Sequence, residues 1–184
     1  MRTIFLFLLI PVALHAQRPA RGDFNYRVDG FYEGEAMEPW QAKATVLDTA
    51  RTFLLKVTVE RGPTTEFHYS YTPSTAHWLD KGRMSSSECS TKIAENEVPD
   101  FALPYFFAAN GSGAYHFKLT MLKCRNGAVE RVAIEGDVAS ENDEILVKGS
   151  KAYPFEARIS KDGRVLKFVQ PQGSVGTAIY TEQR

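Results

Sequence analysis

Apolar and polar side chains alternate with a period of two along much of this chain, and that alternation narrows the possible folds more than any other feature. Phe67, Tyr69 and Tyr71 fall on one side of an extended backbone while Glu66, His68 and Ser70 fall on the other. This is the signature of a strand with one face in a core and one in water. The pattern recurs in Phe24, Tyr26 and Val28, in Trp40, Ala42, Ala44 and Val46, and in Phe53, Leu55, Val57 and Val59. Further strands are expected at 76–79, 115–123, 129–138, 145–150, 155–160, 165–170 and 175–181. Asp48-Thr49-Ala50, Arg61-Gly62-Pro63, Asn126-Gly127 and Asp162-Gly163 supply turns between them, because Gly and Asn tolerate the positive φ that tight hairpins need.

Residues 81–96 read as a polar, Ser-rich loop that holds Cys89, and 98–109 departs from alternation altogether. The latter carries Phe101, Leu103, Tyr105, Phe106 and Phe107 between Pro99 and Pro104 and reads as a short helix or an apolar loop. Short connections and scarce amphipathic helix make the chain all-β and antiparallel. The expected architecture is a curved or closed β-barrel of about ten strands with one short helix or apolar segment near 98–109. A two-sheet β-sandwich is the alternative.

The first sixteen residues have a different origin. Arg2 provides a positive start, 4–14 are almost wholly apolar, and Leu14-His15-Ala16 ends the run before Gln17, which predicts a secretory signal peptide over 1–16. An apolar run of about eleven residues is too short to span a bilayer, which takes about twenty, so no transmembrane segment is expected after cleavage. A loose lead-in over 17–23 and one β-rich domain over 24–184 follow. Removing 1–16 takes away Arg2 and no acid, so 22 basic and 22 acidic residues become 21 against 22. That balance, with the basic residues scattered, gives no footprint for nucleic acid. In a secreted or periplasmic chain the two cysteines, Cys89 and Cys124, are expected to pair.

The residues that might carry chemistry do not assemble into a known motif. His68, His77 and His116 are not spaced two apart on one strand with another His or Cys, so a metal site would have to be built from separate strands, and none is expected, nor any cofactor. Ser85, Ser86 and Ser87 lack a Gly-x-Ser-x-Gly elbow. Glu33, Glu35 and Glu38 are near enough in sequence to pose the question of paired carboxylates, the basis of a third reading as a carbohydrate hydrolase. Arg21-Gly22-Asp23 matches an adhesion tripeptide and Asn110-Gly111-Ser112 a glycosylation acceptor.

The aromatic segment leads to a function. It either packs permanently as a plug or serves as a lid over an apolar cavity lined by Phe53, Phe67, Tyr69, Phe101, Phe106, Tyr115, Phe117 and Met121. The strand and turn order of 52–59, of 69–84 with Trp78-Leu79-Asp80-Lys81-Gly82, of the apolar 100–108, and of 157–180 with Asp162-Gly163-Arg164 resembles the periplasmic lipoprotein-carrier family. The resemblance covers less than half of the chain and implies a curved antiparallel sheet around an apolar cavity covered by helices. The leading expectation is therefore a secreted or periplasmic protein that holds an apolar small molecule or lipid in a β-barrel. A β-sandwich interaction module that binds protein or glycan through its loops is the alternative. The signal peptide is tested by N-terminal sequencing of exported protein, which should begin at or within a few residues of Gln17; a retained Met1 would refute it.

Overall fold

The computed structural model describes residues 19–48, 52–60, 64–71, 74–81, 86–94, 96–110, 113–125, 127–172 and 175–183. The expected signal peptide and its cleavage point lie outside them, as do Gly111 and Ser112 of the glycosylation pattern. Alternation is realised as β1 (Gly22–Tyr32), β2 (Glu35–Ala36), β3 (Trp40–Asp48), β4 (Thr52–Val59), β5 (Thr64–Tyr71), β6 (Ser74–Lys81) and β7 (Ser86–Lys92) in the first half. The second half contributes β8 (Glu97–Pro99), β9 (Tyr115–Arg125), β10 (Ala128–Glu141), β11 (Glu144–Gly149), β12 (Glu156–Ser160), β13 (Val165–Gln172) and β14 (Gly176–Gln183). One 3-10 turn, Asp100–Ala102, leads into the helix α1 (Leu103–Asn110). The protein is thus all-β with one short helix, with fourteen strands among the described residues where about ten were expected.

All fourteen belong to one sheet in the order β7-β6-β5-β4-β3-β1-β14-β13-β12-β11-β10-β9-β8, with β2 added beside β1. Two meanders are joined where the first strand pairs with the last, Val28 opposite Tyr180. Every pairing is antiparallel except that of β8 with β9. β1 begins at Gly22, inside the lead-in expected over 17–23, and the Ala20 amide donates to the Gly163 carbonyl at 3.0 Å. Asp23 of the adhesion tripeptide lies in β1, 2.6 Å from Lys43 Nζ and accepting a 2.7 Å bond from Thr45 Oγ1. Those two partners hold its carboxyl below the usual range.

The expected loop over 81–96 is corrected by β7, which pairs with β6 over seven residues. Its sequence, SSECSTK, carries no hydrophobic alternation; Cys89, opposite Trp78, is its buried inward residue. Backbone hydrogen bonding needs no apolar side chains, so a polar strand of this kind leaves almost no pattern to read.

The sheet path does not close through hydrogen bonds, yet β7 at one end comes beside β9 and β10 near the other. The Cys89–Cys124 disulfide links β7 to β9 with the two Cα atoms 5.9 Å apart. Beside it, Arg131 of β10 donates from Nε to Glu97 at 2.8 Å and from a terminal nitrogen to Thr91 of β7 at 3.4 Å.

The close approach that seats α1 depends on two glycines. Gly136 of β10 lies directly opposite Gly149 of β11, and the bare backbone is overlain by the rings of Phe117 and Phe155, which pack 6.1 Å apart. A Cβ at Gly136 would fall on the Lys148 carbonyl and come within 2.8 Å of the Phe117 ring. Gly136→Ala is therefore expected to destabilise the protein by about 1–3 kcal/mol through overpacking, measured as a lower urea midpoint; an unchanged midpoint would contradict this packing.

Candidate functional site

α1 forms where alternation stops. LPYFFAAN contains no β-branched residue and two alanines, which favours a helix over a strand. Pro104 sits in the first turn, where its missing N–H is an orphan in any case. Apart from the Tyr105 hydroxyl and the terminal Asn110, the helix is apolar around its circumference, and such a helix is stable only when surrounded by protein. Leu103, Pro104, Phe107 and Ala108 are fully buried and Tyr105 nearly so.

Strands from both halves of the sheet supply those surroundings. Phe53 of β4 lies 6.5 Å from Tyr105, and Phe117 of β9 lies 4.8 Å from Phe107, with Phe155 stacked on Phe107 at 6.2 Å. Of the expected lining, Phe53, Phe67, Phe117 and Met121 are buried in this core. Tyr69 is half-buried and stacks on Phe67 at 6.4 Å. Phe106 is half-buried, edge-on to Phe107. Tyr115 is 36% exposed at the start of β9. Phe101 falls in the 3-10 turn, and its side chain lies outside the described part. Tyr105 and Phe107 lie outside the expected lining, yet these are the aromatic side chains that α1 buries most fully. Nothing in an all-apolar segment fixes its helical phase, so alternation could not have found them.

Between α1 and the sheet remains a cleft of about 60 Å³, bordered by Tyr26, Ala42, Ala44, Tyr105, Phe168 and Tyr180. It has room for a few waters and none for an acyl chain. Its two most buried hydroxyls are paired: Tyr26 donates to the Val165 carbonyl at 3.0 Å, and the Tyr26 and Tyr105 hydroxyls share a hydrogen bond. Burial pushes Tyr26 far up and Tyr105 up to about 12, with the charge of Glu182 adding to both. Glu182 itself is 7% exposed and held by Arg164 at 2.9 Å.

A second concavity, of about 620 Å³, lies along β3 to β7 and is bordered by side chains of both registers, with Phe53, Tyr69 and Ala76 from the inward one and Leu54, His68 and His77 from the outward one. Leu47, Leu54, His68, His77 and Ser90 each stand opposite the next across successive strands and form a row through it. The apolar end of the row is Leu47 and Leu54, and the polar end is His77, whose Nδ1 lies 2.9 Å from Ser90 Oγ. His116 is elsewhere, on β9, with Nδ1 3.0 Å from Asp137. Among the described residues no three His, Cys, Asp or Glu side chains converge as a metal-ligand set. Glu33, Glu35 and Glu38 stand exposed on and just after the β1–β2 hairpin. No helix among the described residues is long and apolar enough to cross a membrane.

Neither models of known protein families nor curated proteins give a match to this chain.

The tyrosine pair gives a graded prediction. Tyr105→Phe leaves Tyr26 bonded to Val165 and should cost about 1 kcal/mol, whereas Tyr26→Phe strips a buried carbonyl of its donor and should cost about 1–3 kcal/mol. Urea unfolding of the two variants would reverse that order if Tyr105 anchored the pair.

Proposed function

We propose that this protein is a secreted or periplasmic carrier of an apolar, lipid-like molecule. In this reading the sheet is a barrel left open along the β7–β8 seam, and α1 is a plug that the ligand displaces. The observation that carries it is an apolar helix embraced by strands from both halves of one continuous sheet. A helix of eight residues is too short to be stable by itself, so it holds its place only through side-chain packing, which an apolar ligand can replace. With α1 seated, the cleft beneath it is far smaller than an ordinary ligand pocket of about 300–1,000 Å³, and ligand entry requires α1 to move. The disulfide fits an oxidising compartment, and the resemblance of strand order to the lipoprotein carriers points the same way.

A second reading rests on a different surface. Phe31, Tyr32 and Met37 are exposed at the β1–β2 hairpin with Val175 beside them, and grouped exposed apolar residues suit an interaction module that binds through its loops.

Fluorescent fatty-acid titration of the wild type and of Phe106→Ala separates the two. Truncating the core residue Phe117 should cost about 3–5 kcal/mol. For a displaceable plug, Phe106→Ala should cost about 1 kcal/mol or less while probe affinity changes several-fold. Absence of probe binding by the wild type, or a Phe106→Ala loss as large as that of Phe117→Ala, would defeat the carrier reading.

A further inference from the structure

We propose that His68 and His77 form a two-nitrogen binding site for a late first-row divalent cation, copper(II) ahead of zinc, on the outward face of the β5–β6 hairpin. The proposal does not rest on the carrier reading: the two imidazoles stand on the outward register, although the groove beside them is also bordered by Phe53 and Tyr69.

Strand register brings the ligands together. His68 of β5 is directly opposite His77 of β6, and directly opposed side chains start with Cβ atoms only about 4.5–5.5 Å apart. The two imidazole centroids are 6.2 Å apart. Two imidazoles bound to one ion at about 2.0–2.1 Å have centroids roughly 5 Å apart, so the rings need to close by about 1 Å. That adjustment is open to them, because the side chains are 54% and 40% exposed and exposed rotamers shift at little cost.

The surroundings favour an ion at the Nε2 atoms. Ser90 Oγ lies 2.9 Å from His77 Nδ1; in the proposed site Nδ1–H donates to that oxygen, the tautomer that leaves the Nε2 lone pair for a metal. Fixing the tautomer through the other ring nitrogen is the usual task of a residue behind a metal ligand. Glu66 Oε2 lies 3.9 Å from His68 Nε2 and Glu88 Oε1 lies 3.7 Å from His77 Nε2. Both contacts are too long for hydrogen bonds, yet they place two negative charges beside the ion. Lys56, 3.1 Å from Glu66, offsets one of them.

The donor set determines the choice of ion. Two imidazoles suit copper, nickel and zinc, calcium and magnesium prefer oxygen donors, and at a given nitrogen site copper(II) binds most tightly of the divalent series. With no third protein ligand converging among the described residues, the remaining coordination positions face the groove of about 620 Å³ and are filled by water or an exchangeable small ligand.

The test uses untagged mature protein stripped with a chelator and titrated with copper(II) alone, followed by calorimetry and by electron paramagnetic resonance of the equimolar complex. One ion per chain with coupling to two imidazole nitrogens is expected. Losing even an outer partner of a metal ligand commonly costs 10–100-fold, so His68→Asn and His77→Asn should each weaken binding by about tenfold or more. His116→Asn, which removes a surface histidine with its own carboxylate neighbours, should leave binding unchanged. Circular dichroism of all three variants checks that the exposed substitutions preserve the fold. Undiminished affinity in either His68→Asn or His77→Asn, an equal loss in His116→Asn, or a spectrum with a single coupled nitrogen would overturn the site.

Discussion

The Cys89–Cys124 disulfide joins β7, one end of the sheet path, to β9, the strand next to its other end, and the rest of the molecule depends on that junction. The apolar face of a single sheet has to be covered by the sheet's own strands or by α1. Hydrogen bonds do not close the sheet path, because β7 and β8 end it unpaired with each other. The covalent link and the Arg131 contacts to Glu97 and Thr91 hold the seam instead. A bridge closing a loop of this size constrains the unfolded chain by about 3–4 kcal/mol in the loop-entropy model, a large share of the net stability of an ordinary domain.

The inward side chains of the sheet leave a space that α1 fills. Gly136 and Gly149 remove two side chains from adjacent strands, Phe117 and Phe155 lie over the gap, and Phe107 of α1 packs against both rings. At the other end Tyr105 reaches Phe53 and the Tyr26 hydroxyl. The helix therefore spans the two meanders, and any motion of α1 changes the burial of aromatic residues from both. Packing and a proposed ligand site are here the same surface, which is why a carrier reading makes the plug and the ligand exclude each other.

The outward register has a separate logic. Its side chains are free of core packing, so cross-strand neighbours set their chemistry: Lys56 with Glu66, His68 with His77, and His77 with Ser90. Each pair stands on adjacent strands, and a slip of one residue in the β5–β6 pairing would dissolve the histidine pair while turning Phe67 outward. The core therefore fixes the geometry of the outer face without touching it.

By itself the sequence determined the strand class and most strand positions, because a period of two is a local property written into residues such as Phe67, His68 and Tyr69. It also marked the glycines Gly127 and Gly163, whose positive φ is a local demand; Asn126 lies outside the described residues. The pairing of Cys89 with Cys124 was legible too, since only two cysteines exist. Tertiary structure alone decided that β7 is a strand, because SSECSTK is held by backbone bonds to β6 and not by its own pattern. It likewise decided that Tyr105 and Phe107 face inward from α1, and that His68 meets His77. Helical phase in an all-apolar segment and register between strands are non-local: they are set by which surfaces pack, and no window of sequence contains both partners.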